Sequence, residues 1–207
     1  MASSVVATED EIQKRIRDMA QQLAAHYLPL THQDSAAAEE GVEAPISLDN
    51  PLILVSVLKG SYIFTADLVR YLHDAGLPNV CDFVRLSSYN AGTSSTGQIE
   101  TLLSLKYKNL RNKHVLIVED VCDSGRTLSY FHKYMQETYA PKSLKTLVLV
   151  NKVDGARKVD YEPEYAVMTG PNEYIIGYGF EVNDRYRDFR HVFVLKDGEA
   201  GRYPLKL

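Results

Sequence analysis

The sequence predicts an α/β fold in which a mostly parallel, twisted sheet is flanked by helices. Three observations carry that prediction. First, the runs PLILVSVL (51–58), VLIV (115–118) and LKTLVLV (144–150) are short and predominantly apolar, as strands buried on both faces are. Second, helical patterns separate them: Leu128, Phe131 and Met135 recur at spacings of three and four. Strands alternating with helices in this way build a parallel sheet. Third, each run ends in charge, at Lys59, at Glu119-Asp120 and at Lys152. Ligands of such sheets bind at the carboxyl ends of strands.

The bulk numbers fit one domain over 1–207. Hydrophobic residues make up 45% and charged residues 24%, ordinary values for a globular chain. The net charge of −4 leaves no footprint for nucleic acid. Two cysteines, Cys81 and Cys122, lack metal-ligand spacing and indicate a reducing compartment. No apolar run approaches the ~20 residues of a membrane span, and MASSVVATEDE lacks the apolar segment of a signal peptide.

Thr8 and Glu11 form a capping box. Ile12, Ile16, Met19, Leu23 and Tyr27 then predict an amphipathic helix over 9–28. Residues 30–50 are small, acidic and aperiodic, and read as a flexible surface loop in which His32 is solvated. After the 51–58 strand, Lys59-Gly60-Ser61 is a turn, and 62–74 is a helix with Ile63, Leu68 and Leu72 toward the core. Residues 79–87 are a second strand with Val80, Phe83 and Val84 as core candidates. The stretch 88–97, SYNAGTSSTG, has almost nothing to pack, and is either a surface loop or a lid. Residues 98–106 form an outward strand or hairpin arm. The helix over 125–139 stops just before Pro141. Asp154-Gly155 marks a turn. A short strand lies around Tyr174–Tyr178, and HVFVL (191–195) completes the sheet or a hood over it. His26, His73, His114, His132 and His191 are scattered and receive no catalytic role.

The stretch VLIVEDVCDSGRTL (115–128) is the richest in chemistry. A buried strand ends in two adjacent carboxylates, a third follows, and a small-residue turn opens a helix. Backbone N–H groups at a helix N-terminus suit a phosphate. Ser124 and Thr127 add hydroxyls, and Gly125 allows close approach. Carboxylates would repel a phosphate in the same place, so Glu119 and Asp120 hold either sugar hydroxyls or a magnesium ion beside it. A ligand with both parts is a phosphorylated sugar. No Walker phosphate loop occurs.

This stretch resembles the phosphoribosyl-pyrophosphate signature of the type I phosphoribosyltransferases, and its Glu-Asp then Asp-Ser-Gly-x-Thr form is most similar to the hypoxanthine-guanine branch. The resemblance extends from about residue 51 to 195 and implies the family's fold, with a small hood and a mobile lid loop. It implies a phosphoribosyl site made of Glu119, Asp120, Asp123, Ser124, Gly125, Arg126 and Thr127. Leu58-Lys59-Gly60-Ser61 resembles the loop under the pyrophosphate, whose backbone in the family is strained after the lysine. Lys59, Gly60 and Arg187 would bind pyrophosphate, Arg187 as a planar bidentate donor. Without the resemblance, Lys59 and Lys152 would both read as ordinary loop lysines.

The base site is implied in the same way. Lys152 resembles the lysine that donates to the six-position oxo group of the purine. Tyr174 would stack on the ring, worth ~1–3 kcal/mol, although an isolated tyrosine is more often a core aromatic. The backbone of Ile175 would read the base edge. Ser88-Tyr89 matches the lid pair, which would exclude water from an activated sugar. Where the hypoxanthine-guanine enzymes carry an aspartate, this chain has Glu181, as in the xanthine-accepting relatives.

The implied reaction joins phosphoribosyl pyrophosphate to a 6-oxopurine, giving a nucleoside monophosphate. Magnesium would be the cofactor, with Glu119, Asp120 and Glu181 toward it, and Asp123, Lys59 and Arg187 would be catalytic, Asp123 as general base. Two rivals fare worse. A regulator of this fold would need a basic surface or a DNA-binding domain, and an adenine or pyrimidine enzyme fails on the base segment. The family implies a homodimer or homotetramer. The terminal Leu205-Lys206-Leu207 matches two positions of a peroxisomal tripeptide, pointing to a glycosome or peroxisome-like organelle, with the cytoplasm as the alternative.

Overall fold

The computed structural model describes residues 4–35, 50–88, 99–103, 105–107, 109–152 and 157–195. In chain order its elements are β1 (Val5–Ala7), α1 (Glu9–Ser35), β2 (Leu52–Leu58), α2 (Tyr62–Asp74), β3 (Asn79–Ser88) and β4 (Ile99–Leu103), followed by β5 (His114–Cys122), α3 (Arg126–Tyr139), β6 (Ser143–Lys152), β7 (Tyr165–Gly170), β8 (Ile175–Ile176) and β9 (Val192–Val194). The main sheet has six strands in the order β4-β3-β2-β5-β6-β7. All neighbours are parallel except β4, which returns antiparallel along β3 as a hairpin arm.

The apolar runs are strands because both of their faces find a core. Leu52, Leu54, Leu116, Val118, Leu147 and Leu149 point into one cluster with α1 and α2. Ile53, Val55, Val57, Val115, Ile117 and Val148 point into the other with α3. The two-residue period of a strand thus divides each run between two layers, with no polar face left over. Leu128, Phe131 and Met135 are all buried, as their spacing predicts.

Strand order fixes the site. The chain runs outward from β2 to β3 on one side and from β5 through β6 to β7 on the other. The topological switch point therefore lies between β2 and β5, where adjacent loops diverge and leave a crevice. Lys59-Gly60 leaves β2 there, and Glu119-Asp120 lies near the end of β5.

A second, three-stranded sheet, β1-β9-β8, forms the hood. HVFVL thus belongs to the hood. Ile176, Tyr186, Phe193 and Leu195 make its own small core. The hood is tied to α1 by His191, whose Nδ1 accepts the Glu9 N–H at 2.8 Å, a structural role for that histidine. The capping box is present: Thr8 N–H donates to Glu11 Oε2 at 2.8 Å, and Glu11 N–H to Thr8 Oγ1 at 3.4 Å.

Several expectations need correction. Helix α1 does not end at 28 but runs through Pro29 to Ser35. Leu28 and Leu30 pack against the core on either side of the proline, and that packing holds the helix together where propensity would end it. The expected 30–50 loop is therefore helical over 30–35, and residues 36–49 lie outside the described residues. Strands β1 and β7 were not expected, and the strand around 174–178 shrinks to two residues. Phe83 is exposed rather than core, and Phe64 takes the buried place on α2 while Ile63 is only partly buried. The peptide bond that precedes Lys59, Leu58–Lys59, is cis. Ser88 ends β3, whereas Tyr89 and the rest of the expected lid to 97, Asp154-Gly155 and the C-terminal tripeptide lie outside the described residues.

Candidate active site

Glu119, Asp120, Val121, Cys122, Asp123, Ser124, Gly125, Thr127 and Leu128 line a concave site of about 230 Å³. The N-cap residue Gly125 offers α3 no side-chain cap, so first-turn N–H groups beyond that of Arg126 could meet an anionic ligand. Arg126 opens α3, and its backbone N–H turns to Ser124 Oγ at 3.4 Å.

Gly125 has φ +77, and a Cβ there would lie 3.1 Å from Arg157 Cδ and 3.2 Å from Val159 Cγ2. The glycine is thus required by the backbone turn and by protein packed behind it, a reason different from the ligand approach expected of it. Arg157 is a residue that sequence reading missed. It donates to the Asp123 carbonyl at 3.1 Å, to Asn151 Oδ1 at 2.8 Å and to both Glu162 oxygens, and contacts the Cys122 sulfur. Lys158 N–H adds a bond to the Ser124 carbonyl at 2.9 Å. This segment braces the anion loop from outside. A neighbouring turn signal and two cations were the only marks of it in sequence.

The acidic pair is only partly relieved of its charge. Burial and its neighbour Asp120 push the Glu119 carboxyl well above its ordinary range. Burial also raises Asp120, opposed by its hydrogen bonds and by the Arg187 guanidinium. Ribose hydroxyls or a cation would supply what the pair lacks. Among the described residues no three potential ligands converge to cage a metal, so Glu119, Asp120 and Glu181 make no protein-only metal site. Their donor set fits magnesium only in the way that ion commonly binds, with substrate oxygens and water completing its shell.

Three segments interlock over this pair. A Cβ on Gly60 would lie 1.6 Å from Asp120 Oδ2, and one on Gly179, where φ is +101, would lie 2.1 Å from the Gly60 carbonyl oxygen. The hood turn thus sits directly on the Lys59 loop, and that loop on Asp120. Behind the turn, Tyr178 is anchored by its hydroxyl to Asp67 of α2. Arg187 Nη1 donates to the Gly179 carbonyl at 2.6 Å, and its Nη2 lies 3.6 Å from Glu181 and 3.5 Å from Asp184. Lys59 Nζ donates to Asp184 at 3.0 Å. The fold therefore brings Lys59 and Arg187 together. Asp184, also missed in sequence, stands between them.

Lys152 is buried, donates to the Glu173 carbonyl at 2.9 Å, and lies 3.6 Å from Asp123 Oδ2. A cation for a base oxygen and a carboxylate for a base proton thus stand side by side. Ile175 is buried as a hood anchor, whereas Tyr174 is 76% exposed, the opposite of the core role most tyrosines take. The Glu181 carboxylate accepts the Asp184 N–H and faces Arg187.

The family model for the phosphoribosyl transferase domain matches residues 30–181. The chain belongs to the phosphoribosyltransferase family. It is 42% identical over 182 residues to the hypoxanthine-guanine phosphoribosyltransferase of Leishmania donovani, covering 84% of this chain and 85% of that protein. It is 38% identical to the Crithidia fasciculata enzyme of the same name, covering 95% and 86%. The structure of Trypanosoma cruzi hypoxanthine phosphoribosyltransferase in complex with the product IMP superposes with a TM-score of 0.79 at 38% identity, covering 95% of each chain. These similarities support the parallel sheet, hood and switch-point site as a phosphoribosyltransferase architecture.

Proposed function

We propose that this protein transfers the 5-phosphoribosyl group of phosphoribosyl pyrophosphate to hypoxanthine, guanine and xanthine, releasing pyrophosphate and IMP, GMP or XMP. The observation that carries the reading is the arrangement at one switch point of three unlike subsites. These are a helix N-terminal turn, a partly relieved acidic pair, and two cations held by one loop and the hood.

The 5′-phosphate binds the Asp123–Thr127 backbone, and the ribose hydroxyls face Glu119 and Asp120. Glu119, Asp120 and Glu181 would face magnesium, which when bound would supply positive charge to offset that of the leaving group. Lys59 and Arg187 neutralise the departing pyrophosphate. As the anomeric carbon loses its leaving group it becomes oxocarbenium-like, and a ring nitrogen of the base attacks it. Asp123 accepts the proton from that nitrogen, while Lys152 donates to the six-oxo group. Tyr174 covers the ring face.

Xanthine acceptance rests on Glu181. Its carboxylate is turned into the Asp184 N–H and toward Arg187, which spends much of its charge away from a second oxo group on the base. A Trypanosoma cruzi relative has been examined for the role of its C-terminal region in oligomeric state and activity. We extend a homodimer or homotetramer to this chain.

Steady-state assays of pyrophosphate release with hypoxanthine, guanine, xanthine, adenine and orotate test the reading. Turnover with the first three alone is expected. No IMP from hypoxanthine would sink the whole reading, and no turnover with xanthine would sink that arm. An inactive chain that binds nucleotide and nucleic acid would favour the regulator instead.

A further inference from the structure

Asp184 has no assigned part in the reaction, yet its position is tightly determined. It lies in a turn closed by reciprocal bonds, Val182 N–H to Arg185 O at 3.3 Å and Arg185 N–H to Val182 O at 3.2 Å. Asn183 and Asp184 have φ of 56° and 59°. Positive φ at both central residues defines a type I′ turn, where Asn and Asp are tolerated for lack of a branched side chain. Glu181 accepts the Asp184 N–H and fixes the turn from below. The backbone thus aims the carboxylate, which accepts a hydrogen bond from Lys59 at 3.0 Å and lies 3.5 Å from Arg187 Nη2.

Among the described residues Asp184 is the side chain that touches both cations. Lys59 and Arg187 come from different sheets and would repel each other without an anion between them. The carboxylate is 72% exposed on its side chain, and a groove of about 600 Å³ lined by Tyr62, Asp184, Arg187 and Asp188 opens beside it. Exposed ion pairs are weak and exchangeable. A group with more negative charge entering from the groove can displace this one at little cost.

We propose that Asp184 is an internal anion that holds Lys59 and Arg187 together between turnovers, yields them to the pyrophosphate group, and reclaims them as pyrophosphate leaves. The inference rests on the proposed pyrophosphate role of those two cations. It makes Asp184 a positioning residue whose charge competes with substrate and product. Competition loosens the grip on pyrophosphate, which an enzyme that must release it on every cycle can use.

The test is Asp184→Asn. Asparagine suits the turn and keeps the size of the side chain while removing its charge. The affinity for pyrophosphate with magnesium, measured by calorimetry, should rise about two- to fivefold, and the KM for phosphoribosyl pyrophosphate should fall in parallel, as expected for an exposed charge pair. The KM for hypoxanthine should not move. The gain should shrink at high salt, and in a Lys59→Gln background. A merely structural role predicts loss, never tighter binding. Unchanged or weaker pyrophosphate binding in Asp184→Asn, including weakening rescued by added magnesium, would overturn the proposal. Wild-type enzyme that forms no IMP from phosphoribosyl pyrophosphate and hypoxanthine would instead overturn the function on which it rests.

Discussion

Gly60→Ala should disable the enzyme by a route traceable to one atom. The added methyl carbon would lie 1.6 Å from Asp120 Oδ2 and 2.4 Å from its Cγ, where real Cβ atoms keep at least 3.0 Å. The carboxylate must retreat by about 1.4 Å. It has little alternative: the opposite face of the Gly60 loop is held by Gly179, whose own missing Cβ would meet the Gly60 carbonyl at 2.1 Å. The loop is therefore clamped, and the Asp120 side chain moves instead. Displacing one charged partner from the ribose forfeits about 1.5–3 kcal/mol, or roughly a 10- to 150-fold loss in kcat/KM for phosphoribosyl pyrophosphate. Steady-state kinetics at saturating hypoxanthine reads this directly. A double-mutant cycle isolates its cause. If the methyl acts through Asp120, then Gly60→Ala adds little to Asp120→Ala, because the clashing carboxylate is gone. A Gly60→Ala enzyme within twofold of wild type, or a penalty undiminished in the Asp120→Ala background, would refute the reasoning.

Three further outcomes are expected. Asp123→Asn should lower turnover by about 10²–10⁴-fold, the usual contribution of a general base, while equilibrium dialysis finds IMP binding retained; wild-type turnover would remove Asp123 from the mechanism. Tyr174→Ala should raise the KM for the base by the loss of ~1–3 kcal/mol of stacking, with the KM for phosphoribosyl pyrophosphate unchanged. Glu119→Gln should raise the thermal midpoint of the ligand-free protein at neutral pH. Because burial raises the folded-state carboxyl above 4.5, the neutral acid is the form the fold prefers. Its contribution to stability is full below that value and is lost as pH climbs through the raised one. Melts at pH 4 and pH 7 should therefore show the variant's advantage only at the higher pH, and an equal shift at both would contradict it.

What sequence made legible follows from what a local pattern can encode. The central strands declare themselves because burial on both faces leaves few polar positions, so VLIV and LKTLVLV read as strands with no knowledge of their neighbours. Strand β7 escaped because YAVMTG is only half-buried and its composition is that of many loops. Strand β1 escaped because three residues acquire their partner from β9, almost the whole chain away. The end of α1 was misjudged because Pro29 is a local stop signal, whereas the packing of Leu30 that overrides it is tertiary. Among site residues, Lys59 and Lys152 were marked only by their place at the ends of buried runs, and their roles, like that of Arg187, were legible only through resemblance. Asp184 and Arg157 act through contacts made by folding, to a lysine in the turn after β2 and to a carbonyl of the anion loop. Nothing in their local sequence marks either role.

The proposed placement of the substrate also accounts for one acidic stretch beside a doubly phosphorylated sugar. Glu119 and Asp120 would repel substrate if they stood in a field of their own sign. In that placement the 5′-phosphate end would instead be met by helix N–H groups, whose partial charge cannot be titrated away. The pyrophosphate end would be met by Lys59 and Arg187, cations from segments that meet where Gly179 seats on Gly60. Positive potential would thus be supplied at the two phosphate ends and withheld from the middle, where the sugar hydroxyls would lie. The hood contributes one of those cations together with the buried Ile175 beside the exposed Tyr174. A change that unseats the hood should therefore disturb both substrates at once. Gly179→Ala, with its backbone at φ +101 and its methyl against a carbonyl, is such a change. It should raise the KM for phosphoribosyl pyrophosphate and for hypoxanthine together, whereas Tyr174→Ala raises only the second. Selective loss of base affinity in Gly179→Ala would mean that the hood and the pyrophosphate loop are independent, and the coupling argued from their contact would fall.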